Sequence, residues 1–72
     1  MMNVNKLKGK IVENGVNVDT VAEAIGVDKS TFYRKLAADG VNFTIGEADR
    51  IAQFLKLTKD EVNAIFFAQF VA

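Results

Sequence analysis

The chain has 72 residues, half of them hydrophobic, and its nine basic and nine acidic side chains give a formal net charge of +0. This length and apolar content predict one small domain, residues 1–72, with a single core. Cysteine and histidine are both absent, so disulfides, the usual zinc ligands and the commonest general base are missing, and we expect no enzyme, cofactor, metal or small-molecule substrate.

Hydropathy predicts where in the cell the protein is located, and the distribution of charge along the chain bears on its surface. No apolar run approaches the roughly 20 residues that span a bilayer, and the start of the chain lacks an apolar signal segment, so we expect a cytoplasmic protein. Residues 1–35 carry six basic and four acidic side chains, whereas residues 36–72 carry three and five. This split is compatible equally with a basic and an acidic pole and with ordinary solvated faces.

The first predicted element is a helix over residues 3–14. Its apolar residues recur at helical spacing, and Gly15 follows where the helix would end. Gly9 lowers the helix propensity by about 1 kcal/mol relative to Ala, so this helix is expected to depend on tertiary packing. Its predicted core residues are Val4, Leu7, Ile11 and Val12.

Residues 17–36 predict two short helices joined by a tight turn. Asn17 and Asp28 are suited to cap the two helices, and Gly26 can adopt the positive φ that the turn requires. We interpret this stretch as a helix-turn-helix. Its predicted apolar contacts are Val21, Ala22, Ile25 and Val27 around the first helix, and Phe32 and Leu36 in the second.

The second of these helices has a compact polar side. With Phe32 pointing inward, Ser30 and Arg34 point nearly opposite to it. Arg pairs bidentately with guanine in the major groove, and Ser or Thr bonds several base edges. The predicted DNA-binding or partner-binding residues of this helix are Lys29, Ser30, Thr31, Tyr33 and Arg34. The alternative is an ordinary solvated helix face.

A loop leads from this helix to the rest of the chain. The helix is predicted to end near residue 38, with Gly40 as a left-handed stop. Val41 and Phe43 are expected to tuck under the core. Asn42 between them is a candidate to donate to a phosphate, and an ordinary turn role is equally compatible with its position.

Two further helices are marked by capping boxes. Thr44 precedes Glu47 by three residues, as Thr58 precedes Glu61, and this spacing satisfies free N–H groups at a helix start. The predicted core residues are Ile45, Ala48, Ile51, Ala52 and Leu55 in helix four, and Val62, Ile65, Phe66 and Phe70 in helix five. Phe54, Phe67 and Val71 lie off these stripes. They are candidates for a dimer or partner contact, although single exposed apolar residues are common.

A family resemblance rests on these motifs. Residues 21–32, VAEAIGVDKSTF, resemble the Leu-Ala-x-x-x-Gly-Val-Ser-x-x-Thr-Ile motif of the DNA-binding domain shared by lambda-type phage repressors and Cro proteins. The later run from residue 42 to residue 57 is similar to the fourth helix of that fold. More narrowly, residues 30–36 with Ile65-Phe66-Phe67 resemble small regulators of temperate phages of Gram-positive bacteria. The resemblance implies an all-α, compact five-helix lambda-repressor-like domain whose helices two and three form the helix-turn-helix.

The resemblance also implies a function. The chain would regulate transcription in a phage-type genetic switch in the cytoplasm of a bacterial host. Helix three would bind operator DNA in the major groove, with a homodimer reading the two halves of the site.

A second function is implied by the same resemblance, since some of these regulators are antirepressors, or modulators of repression. Such a protein binds the DNA-binding domain of a phage repressor through its helix-turn-helix surface and blocks operator binding. The neutral charge and the apolar character of Tyr33, Ala37 and Ala38 favour this alternative. Val18 also stands where the family commonly has a phosphate-binding Gln.

Overall fold

The computed structural model describes residues 2–40 and 42–67, and these ranges contain five α-helices and no strand. The helices are α1 Val4–Glu13, α2 Val18–Ile25, α3 Lys29–Ala37, α4 Ile45–Phe54 and α5 Lys59–Phe66. Within these ranges, the prediction of an all-α fold with five helices is therefore confirmed. The Cα radius of gyration is 11.0 Å, close to the value of about 11 Å for a compact chain of this length. None of the helices in the described ranges combines the length and apolar content needed to cross a membrane.

Short polar side chains determine where the first three helices begin. The side chains of Asn3, Asn17 and Asp28 each accept a hydrogen bond from a backbone N–H in the first turn of α1, α2 and α3, at 3.0, 2.8 and 3.0 Å. These bonds satisfy N–H groups that have no partner within the helix. The predicted caps at Asn17 and Asp28 are confirmed.

Both predicted capping boxes are also present. In α4 the Glu47 N–H donates to Thr44 Oγ1 at 3.0 Å, and the Thr44 N–H donates to Glu47 Oε1 at 2.9 Å. In α5 the same reciprocal bonds join Thr58 and Glu61 at 3.1 and 2.8 Å. The starts of the two last helices thus follow from local sequence alone.

Left-handed residues mark the ends of four helices. Gly15, Gly26 and Gly40 have φ angles of 72°, 76° and 72° after α1, α2 and α3. Two non-glycine residues are also left-handed: Asp39, between α3 and Gly40, with a φ of 58°, and Lys56, after α4, with a φ of 55°. Gly26 therefore breaks the chain between α2 and α3 as predicted, because a left-handed residue cannot continue an α-helix.

Helix α2 is at the centre of the packing. It contacts α1, α3 and α4, while α1 also contacts α5. Ala22, which is 1% exposed, presents only a methyl group where α2 meets its neighbours, so the backbones can approach closely. The buried core residues are Met2, Leu7, Ile11, Val21, Ala22, Ile25, Phe32, Leu36, Ile51, Leu55 and Ile65.

The N-terminal segment joins the exit of α3 to α5. Met2 packs directly over Gly40, where an added Cβ would lie 1.7 Å from the Met2 sulfur. The Asn3 N–H donates to the Ile65 carbonyl oxygen at 2.6 Å. Gly40 therefore serves two purposes, since it has a left-handed φ and leaves room for a methionine side chain.

Two predictions for the core are wrong. Val12 is 75% exposed and Ile45 is 83% exposed. Val12 lies about 100° around the helix axis from Ile11, and Ile45 lies about 120° from Ile51, so neither follows the buried stripe. The remaining predicted core residues of α4 and α5 that are only half-buried are Ala48, Ala52, Val62 and Phe66. Predictions for Val41, Phe70 and Val71 lie outside the described residues.

Candidate binding surface on helix α3

Helix α3 is anchored on one side and open on the other. Phe32 is 0% exposed and Leu36 is 6% exposed, and this spacing of four residues buries one side of the helix. The exposed part of the helix carries four polar or charged side chains, which we call the α3 surface: Lys29, Ser30, Tyr33 and Arg34. Thr31, also predicted for this site, is half-buried beside it. Arg34 therefore points outward, as the sequence predicts.

The turn before α3 is held by hydrogen bonds from both sides. Gly26 ends α2 in the left-handed region, and Asp28 caps α3 by accepting from the Ser30 N–H at 3.0 Å. From α4, the Arg50 guanidinium donates to the carbonyl oxygen of Ile25 at 3.3 Å. A carbonyl at the end of α2 is thereby satisfied, and the start of α3 is fixed relative to both neighbouring helices.

A second set of contacts joins the C-terminal half of α3 to α4, and we call it the α3–α4 junction: Phe32, Lys35, Phe43 and Glu47. The Lys35 ammonium donates to both carboxylate oxygens of Glu47, at 2.7 and 2.9 Å. It also lies 5.7 Å from the centroid of the Phe43 ring. That ring meets Phe32 edge-on at a centroid distance of 5.2 Å. The predicted inward placement of Phe43 is confirmed, since it is half-buried against the core.

The junction leaves Glu47 ionised although it is mostly enclosed. Burial alone raises its pKa, but hydrogen bonds from Lys35 and from the Thr44 N–H outweigh that effect and lower the pKa below its usual value. The carboxylate therefore carries its charge at neutral pH and holds the lysine. Lys35 is consequently occupied within the fold and does not belong to the open α3 surface.

A similar pair joins α1 to α5, and we call it the α1–α5 junction: Lys10 and Glu61. The Lys10 ammonium contacts the Glu61 carboxylate and also that of Glu13, the latter at 3.2 Å. Hydrogen bonds from Lys10 and from the Thr58 N–H lower the pKa of Glu61 to about 2. The hydrogen bonds to the two carboxylates raise the pKa of Lys10.

The α3 surface itself carries positive charge, and the neighbouring helix α2 carries exposed acidic side chains. Lys29 and Arg34 contribute exposed positive charge, while Asp19 and Glu23 are exposed on α2. The nearby Asp19 carboxylate raises the pKa of the Tyr33 hydroxyl. Sequence reasoning missed Asp19, because no local pattern indicates that the first turn of α2 faces the middle of α3. Only the packing of the two helices brings these side chains together.

The other predicted site residues lie on different parts of the molecule. Asn42 is exposed in the loop between α3 and α4. Phe54, the last residue of α4, is 39% exposed, and Phe67, which follows α5, is 40% exposed. Their exposure fits the prediction that they lie off the core stripes, and a contact with a partner stays a prediction. Val71, assigned to the same contact, lies outside the described residues.

Comparisons with protein-family models, curated proteins and solved structures gave no match for this chain. The candidate surface is therefore defined by the chain's own residues: an exposed polar helix face, anchored from behind and next to a helix with exposed acidic side chains. The resemblance to lambda-type repressors and Cro proteins stays a prediction.

Proposed function

We propose that this protein is a transcriptional regulator of a phage-type genetic switch that binds operator DNA through α3. In this proposal α2 and α3 act as a helix-turn-helix within a lambda-repressor-like domain. Two copies of the chain bind as a dimer, with their α3 helices about 34 Å apart in successive major grooves.

The observation that carries the proposal is the division of α3 into two sides. Phe32 and Leu36 hold the helix against the core, while Ser30 and Arg34 extend from the opposite side. An α-helix fits the major groove, where Arg donates two parallel hydrogen bonds to guanine and Ser reaches several base edges. Lys29 at the start of the helix and Asn42 in the following loop are suited to contact phosphates.

The small number of exposed basic side chains on α3 limits how steeply the affinity for DNA depends on salt concentration. Each phosphate contact contributes about −0.9 to the slope of log affinity against log salt concentration. With Arg34 assigned to guanine and Lys29 to a phosphate on each subunit, a dimer makes two such contacts through α3, so the slope from this surface is about −2. A steeper slope would mean that further exposed cations, such as Lys6 or Lys8 on α1, also contact phosphates.

The direct test is a gel-shift assay with the promoter region of the protein's own operon. We expect binding to that fragment, weakening as salt rises, and Arg34→Ala should reduce discrimination against a mismatched site by about 1 to 3 kcal/mol. Equal affinity for an unrelated fragment of the same length would contradict sequence-specific binding.

A matched pair of lysines controls for charge. Lys29 and Lys59 are each the first residue of a helix, α3 and α5, and both are exposed. Lys29→Ala should weaken binding to all fragments and make the salt slope shallower by about 0.9 per subunit, whereas Lys59→Ala should change neither. Similar effects of both substitutions would show that overall charge, not the α3 surface, governs binding.

A second function is favoured by a specific set of observations. Ile45 is 83% exposed at the start of α4, and Tyr33 is 50% exposed on α3. Asp19 and Glu23 on the neighbouring α2 would repel a phosphate backbone but would attract a basic protein surface. We therefore propose as the alternative an antirepressor that covers the DNA-binding domain of a phage repressor and prevents it from reaching the operator.

One experiment separates the two functions. Labelled operator DNA is mixed with the protein alone, with the cognate repressor alone, and with both. Binding by the protein alone supports the regulator that reads DNA. Release of the repressor by a protein that does not itself shift the DNA supports the antirepressor. If neither occurs, both proposals are wrong.

A further inference from the structure

We infer that Lys35 and Glu47 are positioning residues, which set the placement of the α3 surface through α4 without touching the bound partner. This inference rests on the proposed function of α3 in binding. Lys35 is in the same helix as the α3 surface, immediately after Arg34, yet its ammonium is bonded to both oxygens of Glu47 at 2.7 and 2.9 Å.

The chain of contacts behind the surface is continuous. Glu47 is fixed to the start of α4 by its capping box with Thr44. Lys35 links that carboxylate to α3, and its ammonium lies 5.7 Å from the Phe43 ring. The Phe43 ring in turn contacts Phe32 edge-on. The pair is only partly accessible, with 18% of the Lys35 side chain and 13% of the Glu47 side chain exposed, which leaves little of either for a ligand.

A positioning role and a direct charge effect predict opposite results for Glu47→Gln. Gln keeps the capping box, because its side-chain oxygen accepts the Thr44 N–H, but it no longer carries the charge that holds Lys35. If charge acted directly, loss of a negative charge and release of a lysine would tighten binding to DNA. If Glu47 positions α3, specific affinity should instead fall by roughly 2- to 30-fold.

Lys35→Met gives the complementary test. Met has a long unbranched side chain that fills similar space without the charge. We expect a loss of specific affinity similar to that of Glu47→Gln, with the salt slope unchanged, since no phosphate contact is removed. The double variant should lose no more affinity than either single variant, because both break the same link. Lys35→Arg, which keeps the charge and can bond both oxygens, should restore affinity.

The α1–α5 junction supplies matched controls. Lys10→Met and Glu61→Gln make the same chemical changes in a pair built around the other capping box. They should lower the melting temperature of the full chain but leave the affinity for the promoter fragment unchanged. An equal loss of affinity from these controls would mean that general stability, not placement of α3, explains the effect, and the inference would be overturned.

A readout that needs no DNA distinguishes failure of this inference from failure of the proposed function. In two-dimensional NMR spectra recorded below the melting temperature, Glu47→Gln and Lys35→Met should weaken the cross-relaxation between Phe32 and Phe43 and shift the amides of Tyr33 and Arg34. If these signals change but the unsubstituted protein binds neither the promoter nor a repressor, the positioning role holds and the proposed function fails. If the signals stay in place, or if Glu47→Gln tightens binding, the inference is wrong.

Discussion

The α3–α4 and α1–α5 junctions use one local design in two settings. Each begins with a Thr and a Glu in a capping box, and in each a lysine from an earlier helix bonds the glutamate. At the α3–α4 junction an aromatic ring lies near the lysine and meets a second ring in the core. At the α1–α5 junction the lysine is shared with Glu13 and the glutamate is more accessible, at 24% of its side chain against 13% for Glu47.

This difference shows that a local motif does not determine its own tertiary role. Both glutamates satisfy the same backbone N–H groups, so the helix starts are equivalent. The partner lysine determines which other helix each capping box is joined to. Lys35 joins α3, the helix that carries the α3 surface, to α4, whereas Lys10 joins α1 to α5. Four tests would break or sharpen this comparison.

The largest effect is expected from Phe32→Ala. This side chain is fully buried and carries the aromatic contact of the α3–α4 junction. Its loss should lower the free energy of unfolding by about 3 to 5 kcal/mol, out of a total of roughly 4 to 11 kcal/mol for a chain of this size. Urea unfolding followed by circular dichroism measures this. Phe67→Ala, at a position that is 40% exposed, is the matched control. An equal loss of unfolding free energy for both variants would contradict a larger contribution of the α3–α4 junction to stability.

The next effect comes from the threonine caps. Thr44→Ala and Thr58→Ala each remove the side-chain oxygen that accepts the Glu47 or Glu61 N–H. Each should cost about 1 kcal/mol of unfolding free energy, because the two boxes are locally equivalent. Thr→Ser at the same positions retains the oxygen and controls for the loss of the methyl group. Costs that differ by more than about 1 kcal/mol would show that the tertiary setting changes the strength of the cap.

Lowering the pH should reduce the stabilising contributions of Glu61 and Glu47 to different extents. The pKa of Glu61 is about 2 in the fold and 4.5 ordinarily, so its stabilising effect is complete above pH 4.5 and is lost as the pH falls towards about 2. Melting temperatures of the unsubstituted chain should therefore decline over this range more steeply than those of Glu61→Gln. Glu47→Gln should flatten the decline less, because burial opposes the lowering of the Glu47 pKa. Parallel curves for the unsubstituted chain and Glu61→Gln would contradict the assignment.

The smallest effect is expected at the first residue of α4. This residue is the exposed Ile45, whereas α5 begins with Lys59. Ile45→Lys therefore makes the first box resemble the second and should change the unfolding free energy by no more than about 0.5 kcal/mol. The same variant is informative in the repressor-release assay, where a docking surface that includes Ile45 would be weakened. Lys59→Ile is the reciprocal control.

Sequence predicted the helices well because their limits depend on short-range chemistry. Asn17, Asp28 and the two capping boxes act on backbone groups within three residues, and Gly26 acts on its own φ. The inward direction of Phe32 and the outward direction of Arg34 likewise follow from the helical repeat. These features need no knowledge of which helices touch.

The side-chain contacts between helices could not be predicted from the sequence, because they do not depend on short-range chemistry. Nothing near Lys35 indicates Glu47, and nothing near Asp19 indicates Tyr33, because each pair is formed by two helices whose relative placement the repeat does not specify. The errors at Val12 and Ile45 have a related cause. A residue at the edge of an apolar stripe is buried only if a neighbouring helix covers it, and here none in the described part of the chain does.

One helix ending has a practical consequence. The backbone turn after α4 is made by Lys56 in a left-handed conformation, which costs an L-residue roughly 1 to 2 kcal/mol. Glycine occupies the equivalent position after α1 and α2, whereas Asp39 occupies it after α3 and is followed by Gly40. Replacing Lys56 with glycine would therefore raise the free energy of unfolding while leaving the α3 surface unchanged. Such a variant is suited to crystallisation with a DNA or protein partner.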